Sequence, residues 1–207
     1  MRHNQTLSVL ALLFLVISFC AGCGNQDPVA DQSDPPADKL SIADFISHTP
    51  GNYRDYEGEG NEYAAFNTEV LYAKDDLIQV SNSNDGTTMT FIYRIRDNEI
   101  LRIYREEESY DPPNMLEEGF TPNDETIVLK APLQVGTKWQ ADEAISEIVS
   151  VDASLSTPAG EFDSCIKVET IYPQAKAYSY YKEGVGLIKN EFVAGDMKVT
   201  ATLKEYR

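Results

Sequence analysis

The stretch Met89-Thr90-Phe91-Ile92-Tyr93-Arg94-Ile95-Arg96 decides how this chain is read. Met89, Phe91, Tyr93 and Ile95 alternate with Thr90, Ile92, Arg94 and Arg96. A period of two sets one row of side chains against a core and the other row in water. The same period recurs outward from it. Phe66, Thr68, Val70 and Tyr72 alternate with Asn67, Glu69 and Leu71; Val149, Val151, Ala153 and Leu155 alternate with Ser150, Asp152 and Ser154; Met197, Val199, Ala201 and Leu203 alternate with Lys198, Thr200, Thr202 and Lys204. Asp75-Asp76, Asn84-Asp85-Gly86, Asp97-Asn98, Pro158-Ala159-Gly160 and Ala194-Gly195-Asp196 separate the runs. These residue types supply the left-handed backbone of tight hairpins.

Strands are therefore expected at roughly 53–58, 62–73, 77–82, 88–96, 99–106, 126–130, 144–156, 161–172, 176–182, 186–193 and 197–206. Spacings of about ten residues leave no room for helical crossovers, so the pairing is expected to be antiparallel. Ser109 to Asn123, with Pro112, Pro113 and Pro122, reads as the one long irregular connection. A one-sided sheet of this length must curl or be covered. The expected fold is all-β: an antiparallel meander curved into a half-barrel or open barrel. Gly58, Gly60, Gly160, Gly184 and Gly186 are candidate bends. One helical turn at 41–46, with Ser41 as its N-cap, is expected to precede the sheet.

Before that turn the chain reads differently. Arg2 and the chain amine give a positive start, and Leu7 to Phe19 form an apolar core followed by Cys20-Ala21-Gly22-Cys23. That core is shorter than the roughly 20 residues a spanning helix needs and has the pattern of a secretory signal. Ala21-Gly22-Cys23 resembles the bacterial lipobox, with Cys20 standing where Leu is usual. The resemblance implies cleavage between Gly22 and Cys23 and a diacylglyceryl thioether on Cys23. The alternative is an ordinary cleaved signal and a freely secreted protein, but a doubly acylated cysteine would hold the chain stably on a membrane. The organisation expected is a signal peptide at 1–22, a lipidated tether at 23–40 and one antiparallel β domain at 41–207. The tether is polar, acidic and proline-bearing, too poor in apolar side chains to pack. At about 5–6 Å × √n it reaches roughly 20–25 Å.

The formal charge is -17, and Arg2 is the only charged side chain of residues 1–22, so the remainder carries -18. A field of that sign repels nucleic acid and anionic lipid headgroups. Of three cysteines, Cys20 leaves with the signal and Cys23 takes the lipid. Cys165 remains alone, and no intrachain disulfide is expected.

Chemistry-bearing patterns are sparse. Ser179-x-x-Lys182 matches a serine–lysine motif that requires a helix start, whereas its flanks read as strand. Ser81 to Gly86 is a partial shadow of a calcium loop, but Ile92 falls where a bidentate Glu is required, and a hairpin turn explains it better. Glu57, Glu59 and Glu62, Glu106-Glu107-Glu108 and Glu117-Glu118 read as solvated edge charges. His48 has no Cys or His at ligand spacing and is expected in solvent. Strict alternation from Phe162 puts Cys165 on the polar face with Asp163 and Lys167, beside acidic neighbours that disfavour a thiolate. Twelve tyrosines are many for this length. Tyr93, Tyr104, Tyr178 and Tyr180, with the lone Trp139, are candidates to line a ligand cup, while tyrosine's strand preference alone also accounts for them. Trp139 is in either case a candidate core anchor whose indole needs one partner.

Three further elements carry a resemblance: Pro132-Leu133-Gln134-Val135-Gly136-Thr137-Lys138-Trp139, then Pro158-Ala159-Gly160-Glu161-Phe162, then Tyr180-Tyr181-Lys182-Glu183-Gly184-Val185-Gly186. Together they resemble a group of uncharacterised bacterial envelope lipoproteins of Gram-positive type, sharing P-L-x-x-G-x-x-W, P-A-G-x-F and Y-Y-x-x-G-V-G. The resemblance spans most of 51–207 and implies an antiparallel half-barrel, with no chemistry attached.

The expectation for function follows. The chain reads as an extracytoplasmic lipoprotein held on the cell membrane by Cys23, non-enzymatic, without metal or cofactor. It would bind an amphipathic ligand or an envelope protein on its curved sheet. The alternatives are a pocketless envelope scaffold and an envelope enzyme using Cys165 or acidic residues. A cup above about 300 Å³ with apolar walls separates the first from the second.

Overall fold

The computed structural model describes residues 40–141 and 143–207. Lys39–Arg207 form one compact unit. Its strands are β1 (Tyr53–Glu59), β2 (Phe66–Lys74), β3 (Leu77–Ser83), β4 (Thr88–Arg96), β5 (Glu99–Glu106), β6 (Thr126–Lys130), β7 (Lys138–Ala141), β8 (Ala144–Thr157), β9 (Gly160–Tyr172), β10 (Ala175–Lys182), β11 (Gly186–Ala194) and β12 (Met197–Tyr206). They form a single sheet in the order β6-β5-β4-β3-β2-β1-β12-β11-β10-β9-β8-β7. Every pairing runs antiparallel, as the hairpin spacings require.

Pairing of β1 with β12 joins the two ends of the domain, with Arg54 opposite Tyr206 and Gly58 opposite Ala201. The sheet thereby curls into a nearly closed barrel. Its seam lies between β6 and β7, which are neighbours in sequence but do not share a ladder. A side chain bridges them instead: the Trp139 indole Nε1 donates to the Ile127 carbonyl at 3.0 Å. Trp139 is buried among Ile100, Leu129 and Ile148, so it is the core anchor the sequence suggested. β7 itself was not among the expected strands, because four residues are too short to show a period.

Bulges curl the sheet and reset which row faces inward. Register shifts occur at Asp55/Tyr56, Val70/Tyr72, Ile92/Tyr93 and Tyr180/Tyr181, and repeatedly between Ile148 and Leu155. Two glycines permit the close approaches at one end of the barrel. A Cβ at Gly58 would lie 2.0 Å from the Ala65 nitrogen, and one at Gly60, where φ is +85°, would lie 2.0 Å from the Lys198 oxygen.

Several expectations of strict alternation fail for identifiable reasons. Ile92 and Thr90, expected in water, are both at 0% exposure. The connection from β5 to β6 folds back over them. It contains one short helix, α1 (Met115–Glu118), and lays Leu116, Met115 and Phe120 on Ile92, Leu101 and Ile103. Gln79 pins this strap: its Nε2 donates to the Pro113 oxygen and its Oε1 accepts from the Met115 nitrogen, each at 2.9 Å. Val149 and Val151, expected on the core face, are displaced by the β8 bulges, and Val151 is exposed while Ile148 takes the inward position. Met197, also expected inward, is exposed at the start of β12.

Cys165 departs from the expectation as well. It is wholly buried, not on the polar face. Ser164 adopts a φ of +48°, which breaks the alternation one residue earlier and turns the thiol toward Phe162, Ile188 and Leu203. Those contacts arise because the long β8–β9 hairpin bends across the sheet until its tip, Ala159, donates to the Leu203 oxygen of β12 at 3.3 Å.

The turn Ile42–Phe45 is 3-10 in form. Its N-cap Ser41 accepts from the Ala43 nitrogen at 3.4 Å. Ile42 and Phe45 are buried in the main core, and the Gly184 nitrogen donates to the Asp44 oxygen at 2.7 Å. The turn therefore closes the end of the barrel at which β1 begins and β10 passes to β11.

Candidate functional site

The barrel interior is not filled. Behind the 3-10 turn lies a cavity of about 410 Å³, floored by Phe45 and Ile46 and walled by Tyr56, Phe66, Phe91 and Tyr93. Toward the opposite end it widens into a space of about 720 Å³ bordered by Thr126, Ser146, Thr170, Tyr172 and Phe192. Arg102, Val128, Ser179, Tyr181 and Asn190 border both, so the two adjoin within the barrel and are called its lumen. The inner part is mostly aromatic and aliphatic; the outer part mixes hydroxyls with apolar surface.

Most polar groups of the wall are satisfied by one another. Ser179 Oγ donates to Asn190 Oδ1 at 2.8 Å across the β10–β11 ladder. Ser146 and Thr170 share a hydrogen bond of 2.9 Å between β8 and β9. Tyr56 donates its hydroxyl hydrogen to the Leu187 oxygen at 3.0 Å. Arg102 donates to Asp124 at 2.5 Å and to Thr126 at 3.2 Å, and lies 5.2 Å from the Phe91 ring centre. Arg54 reaches into the inner part from β1, its Nε donating to the Val185 oxygen at 2.7 Å.

The electrostatics follow from this burial. Desolvation pushes the Tyr181 hydroxyl up to about 12, and it pushes Tyr93 and Tyr56 upward as well, so all three stay neutral at physiological pH. Desolvation pulls the Arg54 guanidinium below its ordinary value; the Tyr56 and Tyr206 hydroxyls act in the opposite direction. At Asp124 burial pushes upward, but hydrogen bonds from Thr126 and Arg102 together with the Arg102 charge outweigh it and hold the carboxyl low.

Of the aromatic residues singled out in the sequence, Tyr93 borders the lumen. Tyr104 lies under the strap, 5.7 Å edge-on from Phe120. Tyr178 and Tyr180 flank the Lys167 ammonium at 4.5 Å and 5.3 Å, and the Tyr178 hydroxyl donates to Glu169 at 3.0 Å. Trp139 belongs to the seam and core. Arg54, Tyr56, Arg102, Tyr181, Ser179 and Asn190 carry the site without having been singled out for it. Tyr181 is inward together with Ala177 and Ser179 by plain alternation along β10, which puts Tyr180 on the other face; the register shift beside them is taken up by Ile188 of β11. Arg54 and Arg102 look in sequence like solvent-facing strand charges, and no local signal marks them as interior.

The other motifs resolve locally. Ser179 is committed to Asn190, while Lys182 bonds to the Asp163 oxygen at 3.0 Å. Asn84 Oδ1 accepts from Gly86 and Thr87, which makes 84–87 a hairpin turn. His48 is exposed, its Nδ1 3.3 Å from the Ile46 oxygen. Glu57 and Glu59 are exposed on β1, which is a central strand and not an edge. Among the described residues no three His, Cys, Asp or Glu side chains cluster as a metal site, and no helix is long and apolar enough to cross a membrane. Gly22 and Cys23 lie outside the described residues.

No family model matches the sequence, and no curated protein matches it. Among solved structures, a Bacteroides fragilis protein with the YmcC-like fold, taken to be exported, aligns over 79% of this chain and 98% of its own, with 13% identity and a TM-score of 0.51. A Parabacteroides distasonis protein, taken to be a lipoprotein, aligns over the same shares with 14% identity and a TM-score of 0.45. At such identities the likeness is one of fold, and the twelve-stranded antiparallel barrel is similar to the YmcC-like architecture.

Proposed function

We propose that this chain is a lipid-anchored, extracytoplasmic, non-enzymatic binding protein whose barrel lumen takes an amphipathic ligand. The observation that carries this reading is the lumen. Its inner part alone, about 410 Å³, exceeds the roughly 300 Å³ at which ligand cavities begin. Its apolar walls with a few convergent polar groups are the usual composition of such sites. A packed interior would have favoured a scaffold. The enzyme reading loses its thiol, since Cys165 is sealed among apolar side chains. Support for location comes from the signal pattern, from the lipobox resemblance at Cys23, and from a fold neighbour that is itself taken to be exported.

The chain from Gly24 onward keeps the whole compact unit and suffices for the test. Purified without detergent, it should bind the neutral apolar dye N-phenyl-1-naphthylamine at one site, and native mass spectrometry should show a co-purifying amphiphile. Absence of both dye binding and any bound small molecule would overturn the proposal.

A further inference from the structure

Two arginines border the lumen, and they are treated differently by the fold. Arg102 is matched to Asp124. Arg54, at 8% exposure, is not matched to any carboxylate among the described residues. Its Nε has the Val185 oxygen. Its two Nη atoms have no acceptor among the described residues and are not sealed off, and Arg54 is one of the residues that border the inner cavity.

A buried cation without a counter-ion is costly, and this one sits in a chain of net charge -17 with carboxylates in abundance elsewhere. A guanidinium presents a planar fork of donors matched to carboxylate or phosphate oxygens. The inner cavity that Arg54 borders is walled mainly by Phe45, Phe66, Val80 and Phe91, with Thr68 and Asn82 among them. Gly186, whose φ of +93° suits glycine, brings the β11 backbone alongside the guanidinium, a Cβ there lying 3.8 Å from Arg54 Nε.

Resting on the reading of the lumen as a ligand site, we propose that Arg54 is its head-group anchor. The ligand is a single-tailed amphiphile with an anionic head of carboxylate or phosphate type. It enters head first, pairs with the free Nη edge of Arg54 behind the 3-10 turn, and lays its tail along the apolar wall toward the wide end. The same surface potential that repels free anions from the exterior makes the apolar tail necessary, because burial of the tail has to supply what long-range attraction does not.

The test uses the chain from Gly24 onward, stripped of lipid and loaded with N-phenyl-1-naphthylamine. Dodecanoate, dodecyl phosphate, dodecanol, dodecylammonium and inorganic phosphate are each titrated below their aggregation concentrations. At least one of the two anionic amphiphiles should displace the dye at a concentration tenfold or more below dodecanol, and whichever is stronger distinguishes a fatty carboxylate from a lipid phosphate. Dodecylammonium should be weaker than dodecanol, and inorganic phosphate should leave the dye in place. Arg54→Met should abolish the preference for the anion over dodecanol, both measured on the same variant, and Arg54→Lys should restore part of it. Equal displacement by dodecanoate, dodecyl phosphate and dodecanol overturns the anchor and leaves the lumen reading standing, as does an undiminished preference in Arg54→Met. Displacement by inorganic phosphate alone also overturns it. Failure of dye and amphiphiles alike to bind overturns both. Should Arg54→Met not fold, the comparison of head groups on the unaltered chain still decides.

Discussion

At the scale of single residues, the lumen wall is governed by how each buried polar group is matched. Asp124 shows the sign. Its folded value is held below the ordinary carboxylate value by Thr126 and Arg102, against the upward push of burial. A carboxyl depressed on folding contributes stability that is present above its unfolded value and lost as pH falls through its folded value. Thermal melts followed by circular dichroism should therefore show an acid-side loss of stability that is smaller in Asp124→Asn than in the parent chain. At neutral pH the same variant should be destabilised by about 2 kcal/mol, because Arg102 loses a charged hydrogen-bond partner; an unchanged acid limb would remove Asp124 from this role. Cys165 gives a second residue-scale expectation. Burial pushes its thiol upward, the Lys182 charge partly offsets this, and Asp163 adds to the push. The chain from Gly24 onward should show no thiol reactive to a disulfide reagent when folded and one when denatured in guanidinium. Rapid labelling of the folded chain would contradict the packing of that cluster.

At the scale of elements, the strap between β5 and β6 converts what would be a wet outer face into a second small core. A sheet with one face on the lumen and the other bare would expose Ile92, Leu101 and Ile103, and Leu116 covers them. Leu116→Ala should cost about 2–4 kcal/mol in urea unfolding, the range for truncating a buried leucine. Gln79→Ala leaves the Pro113 oxygen and the Met115 nitrogen without their partner, at a cost of about 1–3 kcal/mol. It should also open the strap locally, so that limited proteolysis followed by mass spectrometry finds new cuts within 107–125 while the strands stay intact. Cuts confined to other loops would mean that Gln79 does not hold the strap. This element was hidden in the sequence for a physical reason. Its prolines and acidic residues give no period, and a four-residue helix is too short to show one.

At the scale of the whole molecule, closure of β1 onto β12 and the bridging indole at the seam turn a meander into a container. Ser179→Trp places a large side chain where the two parts of the lumen meet. It should abolish dye and ligand binding with little change in the far-ultraviolet spectrum, whereas retained binding would place the ligand elsewhere. Cys23→Ala should release the protein from the membrane fraction or leave an uncut precursor, and intact mass of the parent protein should include a diacylglycerol; a membrane-bound Cys23→Ala protein would remove the proposed anchor.

What the sequence determined by itself is what neighbouring residues encode. The period of two, the Asn, Asp and Gly turns and their spacing were enough for eleven of the twelve strands, for the antiparallel order of consecutive hairpins and for the curl into a barrel, and a capping serine was enough for an opening helical turn. The tertiary structure decided what depends on residues far apart in the chain. Bulges at 149–152 and the turn of backbone at Ser164 reset the inward row, so alternation placed Val151 and Cys165 on the wrong faces. Along β10 the alternation holds, but only the packing opposite it decides that the row of Tyr181, and not that of Tyr180, is inward. A strap laid over Ile92 moved the solvent boundary. Pairing of β1 with β12 brought Arg54 into the lumen. Interior or exterior is a property of what packs opposite a side chain, and for these residues the opposing surface comes from a segment that local sequence does not specify.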